Sequence, residues 1–528
     1  MIEMTFKTNL TASQLFLIIS LFLGSIFLTI SMVSKSLLDT PTEQEIHTLH
    51  QGQYIIQEID TIHTAVPELI SYGSIQLGHT LSANEFFPLE EINNPNTWND
   101  VLLWGRLPYI MITLLTTWYI TFVTYIHSRN IILTSLTFLG LSFLPALLSV
   151  GPLMTGHILL IFPSFVILHT FLSFLKDHSW SSLTGWSLFS GITSILHPWF
   201  FFMYCACIVY GILPSGERLN KSQNTDLLNY LFSLILSISS AFTTLAIISL
   251  YWNLSLSQGL QLFTSSWETS WGQWTSWEPL SIFRIWTDNT WGQGTLTTLF
   301  LQTPFPLLII SGLGFIIYLM HRLKHSPNLS HPLHLAVWIT LLSFGIVVTG
   351  NGTGGYQDLL LTYVFLIPLG ASAFIWLWKH QFGHPILILI GLWYLGGTLI
   401  SFPSFLGEGN LLLRDPQQQY LGLPHQTIDH GQDLGRLALW KNEQNIDTIY
   451  VDYHGPIDPN IFLGDAYRTY NPQRQKKEDQ YRAVSISQFN QSFLDYQNEE
   501  IPQAYWWLEW EHPDLIIGDS ILIYKPKD

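Results

Sequence analysis

At 528 residues the chain is too long for one compact soluble domain, and 48% apolar against 11% charged residues gives the profile of a polytopic membrane protein with water-exposed parts. A formal net charge of -16 argues against nucleic acid, which needs a basic face. The only cysteines, Cys205 and Cys207, lie inside an apolar run, which argues against a disulfide framework and a cysteine-held zinc site.

Leu15 to Val33 is long enough to span a hydrocarbon core and lacks a small-residue cleavage site, so it reads as a retained signal anchor. A polar loop follows over residues 36–99, and Ile46, Leu49, Ile56, Ile59 and Ile62 recur in it at near-helical spacing, as in helices lying on a membrane surface. Spans are predicted at Val101–Ile126, Ile131–Val150, Leu153–Leu175, Leu183–Leu196, Trp199–Leu213 and Leu227–Trp252. The pair around His197-Pro198 is short, which points to broken or tilted helices. A second polar loop, 253–298, is rich in tryptophan, and three or four more spans run from Pro304 to Ile400.

With the N-terminus inside, Arg129, Lys176, Arg218, Lys221, Arg322, Lys324 and Lys379 all fall in cytoplasmic connectors, and about eleven helices satisfy this arrangement. The division is then a transmembrane part over 1–402 with long external loops, and an extracytoplasmic α/β domain over 403–528. In that domain Asp433–Asn445 has helical periodicity, Ile446–Tyr453 and Ile516–Tyr524 read as buried strands, and Gly455-Pro456 and Gly518-Asp519 are turn signals.

Three stretches carry candidate chemistry. Thr42–Tyr54 gathers Glu43, Glu45, His47 and His50 where the first span opens into water; a carboxylate there can deprotonate an acceptor hydroxyl, and a solvated loop is the alternative. Arg106, at the outer mouth of the second span, suits a lipid phosphate, or else interfacial anchoring. Gly151–His157 is a polar outer break in which His157 contacts a substrate or metal, or simply turns the chain.

Together these segments resemble the dolichyl-phosphate-mannose–protein mannosyltransferase family and its prokaryotic relatives, within the GT-C class of membrane glycosyltransferases. Arg106-Leu107-Pro108, Val66-Pro67-Glu68-Leu69, Gln302-Thr-Pro-Phe-Pro306, Asp429-His-Gly-Gln-Asp-Leu434, Val451-Asp-Tyr-His-Gly455, Tyr505-Trp-Trp-Leu508 and Ile517-Gly-Asp-Ser-Ile521 carry the likeness. The resemblance implies inverting transfer of a mannose-like hexose from a polyprenyl-phosphate donor to a protein or envelope-glycan acceptor, in the plasma membrane. It implies Glu43 or Glu45 as base, and His47, Arg106, His157 and Gln302 as substrate contacts, with a divalent metal ion left open as cofactor.

The chain departs from the family pattern at Glu43-Gln44, which stands for an acidic pair, at His157 for an aspartate, and at Gln302 for a lysine. These departures motivate a second expectation, a catalytically degenerate member that binds lipid-linked sugar or scaffolds an envelope complex. A transporter fits less well, because the polar mass lies in the loops and not at the midplane.

Overall fold

The computed structural model describes residues 11–42, 95–177, 179–196, 198–212, 223–251, 302–324, 356–380, 383–405, 429–455, 457–470, 479–489 and 512–526, with isolated positions between 45 and 75 and at 299. Glu43, His47, His50, the tryptophan-rich loop, the connector with Arg218 and Lys221, and Tyr505–Leu508 lie outside the described residues.

The chain is a polytopic helical membrane protein. Six described helices have the length and hydropathy to cross a bilayer. The first, α1 (Ala12–Leu38), starts on a capping box in which Thr11 accepts from the Gln14 amide and the Gln14 side chain accepts from the Thr11 amide. Its faces are inverted relative to a soluble helix: Ser20, Gly24, Leu28 and Ser31 are buried, whereas Ile18, Phe22, Leu23 and Ile30 are exposed. That polarity belongs to a helix whose outer solvent is lipid and whose inner contacts need small residues.

The second long helix, α2 (Pro95–Ser128), contains Pro108 and a ladder of threonines. The hydroxyls of Thr113, Thr117, Thr121 and Thr124 each donate to the carbonyl four residues back, so none is left unsatisfied.

The span expected over Ile131–Val150 is two helices, α3 (Ile131–Ser142) and α4 (Pro145–Val150). Pro145 has no amide hydrogen, so carbonyls at the break lose helical donors. Tyr394 and Thr398 supply replacements, donating to the carbonyls of Gly140 and Phe143 at 2.8 and 2.9 Å. These two belong to α11 (Gly383–Ile400), so the break is stitched by the last apolar helix.

Between them run α5 (His157–Asp177), α6 (Trp180–Leu196), α7 (Pro198–Ile212), α8 (Gln223–Tyr251), α9 (Phe305–Lys324) and α10 (Tyr356–Trp378). The short pair expected around His197 is thus two helices with Pro198 opening the second. α6 and α8 pack closely through small and hydroxyl residues: the Ser233 hydroxyl lies 2.6 Å from both the Ser187 and Tyr204 hydroxyls.

The C-terminal part is α/β, with helices α12 (Leu434–Glu443) and α13 (Pro459–Leu463). Strands β1 (Ile449–Asp452), β2 (Tyr467–Thr469), β3 (Tyr481–Ser485), β4 (Leu515–Ile517) and β5 (Ile521–Tyr524) form one sheet in the order β2-β1-β3-β5-β4. β1 lies parallel to β2 and β3, while β5 runs antiparallel to β3 and β4. The expected strand Ile516–Tyr524 is therefore a hairpin, turning at Gly518, whose φ of +59° is a left-handed value.

Gly191 tests the α6–α8 packing. A Cβ at Gly191 would stand 2.1 Å from the Ser237 carbonyl oxygen, whereas one at Gly185, on the same helix, meets open space. Gly191→Ala is expected to cost about 1–3 kcal/mol through overpacking. Gly185→Ala is expected to be neutral or stabilising, since alanine is the better helix former. Thermal unfolding of the detergent-solubilised protein checks both.

Candidate functional site

The site is built at the ends of helices. α1 ends at Leu38, α2 carries Arg106 near its beginning, and the turn between α4 and α5 brings in Met154. Glu45 ties these three places together. Its carboxylate receives a two-pronged contact from Arg106, with Nε on Oε1 and Nη2 on Oε2, both at 2.7 Å. The Met154 amide donates to Oε1 at 3.2 Å, and the Thr42 amide and hydroxyl donate to Oε2 at 3.0 and 3.2 Å. The Thr42 hydroxyl in turn accepts from the Glu45 amide, so Thr42-x-x-Glu45 closes as a capping box at the start of a helical turn.

Arg106 is equally enclosed. Its remaining groups donate to the Ser36 and Thr40 carbonyls at 3.2 and 3.5 Å, and both side chains of the pair are 0% exposed. Removal from water pushes the Glu45 carboxyl up, but the Arg106 charge and the hydrogen bonds more than offset this and hold it below the ordinary value.

Two expectations change with this geometry. Glu45 has both oxygens committed to fixed donors, so it lacks the free reach that a general base needs. Arg106 holds a protein carboxylate where a lipid phosphate was expected. Neither side chain touches solvent.

Neighbouring contacts hold the first loop on α2. The Tyr109 hydroxyl donates to the Pro67 carbonyl at 2.8 Å and lies 3.1 Å from the Ser71 hydroxyl. Thr48 donates to the Met154 carbonyl at 3.2 Å. His157, three residues beyond Met154, is half-buried at the start of α5. Gln302 is buried before α9, beside Thr303, whose side chain meets the Tyr363 hydroxyl. Glu43 and His47, the remaining sequence candidates, lie outside the described residues.

Asp429–Leu434, which the sequence marks by its likeness but not by any role in the site, is a further part of this cluster. Its backbone is laid along the end of α1: the Thr40 amide donates to the Gln432 carbonyl and the Thr40 hydroxyl to the Gly431 carbonyl, both at 2.8 Å. Gly431 sits at φ +79°, and a Cβ on Gly435 would come within 3.2 Å of Thr40. Both glycines therefore serve the docking, one by conformation and one by size.

Charge reinforces this contact. Arg436 reaches Asp39 at 2.6 Å and Asp433 at 3.4 Å, and Asp39 also pairs with Lys35 at 2.7 Å. Arg436 donates as well to the Ser404 hydroxyl, just beyond the last apolar helix. Asp433 accepts from the Asp519 amide and the Ser520 hydroxyl, each at 2.8 Å, which fastens the β4–β5 turn to the same cluster.

Burial raises the Asp433 carboxyl to about 7, with Arg436 opposing and the carboxylates of Asp519 and Asp39 reinforcing. Burial also raises Asp39, but Lys35, Arg436 and Arg106 outweigh it and leave the carboxyl below its ordinary value. Asp429 is raised by burial, even though the Ser487 and Gly431 amides donate to it.

His430 belongs to the docked segment. Desolvation comes first and Lys35 second in holding its imidazole at about 4, with Glu45 pulling the other way and His157 and His454 adding to the depression. His157 comes from the start of α5, whereas His430 and His454 both come from the C-terminal part. Among the described residues, no group of three or more histidine, cysteine, aspartate or glutamate side chains is arranged to hold a metal ion.

No family model matches the chain, and a search of the curated proteins finds no match.

The ion pairs yield two predictions. Arg106→Leu, which strands a buried carboxylate, is expected to destabilise by about 3–5 kcal/mol. Glu45→Leu should cost a comparable amount, and the double variant much less than the sum, as a double-mutant cycle by thermal unfolding would reveal. Glu45 binds fewer protons in the native state, so its stabilisation is present above its ordinary value of 4.5 and lost as pH falls through the lower native value.

Asp433 has the opposite sign. Its native value of about 7 lies above the ordinary 3.8, so its favourable contribution is complete below 3.8 and lost as pH rises through about 7. Hydrogen exchange of α12 should accordingly speed up between about pH 5.5 and 8 beyond the intrinsic rate increase. Asp433→Asn should flatten that dependence.

Proposed function

We propose that this protein is a GT-C-type glycosyltransferase, which moves a sugar from a polyprenyl-phosphate donor to a protein or envelope-glycan hydroxyl outside the plasma membrane. In this reading about eleven helices span the membrane, the N-terminus is cytoplasmic, and residues 403–528 form an extracytoplasmic domain. The observation that carries it is the convergence on Glu45 of the first loop, the mouth of α2 and the α4–α5 turn, with the Asp429–Leu434 segment docked alongside.

Glu43 is the base. It stands in the chain between Thr42 and Glu45, two residues that are both anchored in the Arg106 cluster. Its carboxylate takes the proton of the acceptor hydroxyl as the oxygen attacks the anomeric carbon. The bond from that carbon to the phosphate oxygen breaks, polyprenyl phosphate leaves with the electron pair, and the anomeric centre inverts. Glu45 and Arg106 act as positioning residues, because a misplacement of about 1 Å at such a site can cost 10²-fold in rate.

One observation favours the second reading, a binder without turnover. The carboxylates of Asp39, Glu45 and Asp433 are each engaged by a cation. A transfer assay decides between the two. With purified protein and a panel of polyprenyl-phosphate sugars, Glu43→Gln should lower turnover by about 10²–10⁴ while leaving the unfolding temperature unchanged. Undiminished transfer by that variant removes Glu43 as base, and donor binding without any turnover establishes the second reading.

A further inference from the structure

The end of the membrane helices remote from Glu45 carries a second polar cluster. Arg106 and Ser128 both belong to α2, and by helical rise they stand about 33 Å apart along it. Beside Ser128 lies a cavity of about 460 Å³, within the range of roughly 300–1,000 Å³ usual for ligand sites. Its walls come from α2, α5 and α10, together with the start of α3. The first three helices all reach this end with their last turns, and that direction grades the lining. Val123, Phe165 and Phe365 line the deeper part, where the two phenyl rings stack at 4.5 Å. His127, Ser128 and Asn130 line it at the helix ends. A wall that passes from apolar in the depth to polar at the rim suits an amphiphile, because a polar head in the depth would lose its hydrogen bonds.

The rim offers donors. Asn130 caps α3 through Oδ1, which accepts from the Leu133 amide at 3.1 Å and leaves the Nδ2 hydrogens for another acceptor. The Ser128 oxygen accepts from the Asn130 amide at 3.2 Å, and its own hydrogen has no acceptor among the described residues. His127 is fixed in the wall by His169, the ring nitrogens lying 3.0 Å apart.

Cations surround these donors. Arg129, over the Tyr125 ring, lies between Ser128 and Asn130 in the chain. Lys176 stands one turn beyond Leu172, and Lys379 one turn beyond Ile375, both of which line the cavity. All three cations are exposed, and none forms an ion pair among the described residues. Asp177 is the one carboxylate among the described residues of the same three helix ends. At the Glu45 end, by contrast, Arg106, Lys35 and Arg436 each hold a carboxylate. Free donors ringed by unpaired cations fit an ionised group that only accepts, and a phosphodiester at a membrane surface is such a group.

We propose that this cavity binds an anionic glycerophospholipid from the adjoining leaflet. One acyl chain lies against Val123, Phe165 and Phe365, and the phosphate accepts from Ser128 and Asn130. Lys176 and Lys379 act from outside the cavity and favour a lipid of net negative charge over a zwitterionic one. The site is independent of sugar transfer, so a chain without turnover would keep it.

The test is binding of phosphatidylglycerol to the purified full-length protein in detergent, followed by native mass spectrometry, against phosphatidylcholine with the same acyl chains. Wild type should hold phosphatidylglycerol at least about tenfold more tightly. Asn130→Asp keeps the helix cap and replaces the donors by a carboxylate, so it should weaken that binding at least about tenfold without changing the unfolding temperature. Ser372→Phe, which fills the cavity from α10, should weaken it comparably. The pair Lys176→Gln and Lys379→Gln, both at exposed positions, should narrow the preference between the two lipids. Equal binding of the two lipids by wild type would overturn the proposal, as would phosphatidylglycerol binding that Asn130→Asp or Ser372→Phe leaves unchanged. A loss confined to the lysine variants would reduce the effect to a surface field and overturn it too. Glycerol 3-phosphate bound as tightly as the lipid would make a free anion the ligand, and the lipid assignment would fall.

Discussion

The contact on which the architecture of the site depends is the buried pair between Glu45 and Arg106. An arginine at 0% exposure near the start of a membrane helix would be intolerable alone, and so would a carboxylate at the same depth. Together they are held because each also satisfies backbone: Arg106 answers the carbonyls where α1 ends, and Glu45 answers the amides of Thr42 and Met154. The pair thus fixes three chain segments that share no local sequence. It constrains any catalysis here to use a carboxylate other than the one most firmly placed.

A second layer of charge extends the same logic into the C-terminal part. Lys35, Asp39, Arg436 and Asp433 alternate in sign from the last turn of α1 to the first turn of α12, and Asp433 continues to the β4–β5 turn. The Asp429–Leu434 segment is therefore a docking element. Asp429 folds the loop, Gly431 provides its left-handed residue, and Gly435 lets α12 approach Thr40. Gly518 belongs to the same device, since a side chain there would meet the Asp433 carboxylate.

Sequence makes the membrane elements legible because each depends on local hydropathy: α1, α2, α5 and α8 fall where apolar runs predict them. The break at Pro145 is hidden inside one continuous apolar run, and only the donors Tyr394 and Thr398, some 255 residues away, make it tolerable. The site is half legible. Glu45 and Arg106 both stand out as candidates, but with free roles, and their mutual engagement spans 61 positions that no local pattern encodes. A signal for Glu45 does exist, since Thr42-x-x-Glu45 has capping-box spacing and such a glutamate is occupied by its own turn. Asp39 and Arg436 carry no local signal, and Asp433 is marked only by the likeness of its motif and the start of a helix; only tertiary contact makes the three a chain.

These two layers also set the electrostatics that any ligand would meet. Paired cations and carboxylates cancel at short range, so the mouth offers less net attraction to an anion than its count of basic side chains suggests. Selectivity for any anionic ligand would then have to come from the geometry of hydrogen-bond donors rather than from a field that would draw any anion. Such geometry requires rigid supports, and the backbone contacts between Thr40 and residues 431 and 432 supply one. This junction couples the C-terminal part to the membrane helices, because both sides share the Thr40 contacts. The ion pairs therefore act as the frame that fixes the end of α1, the start of α2 and the C-terminal part against one another.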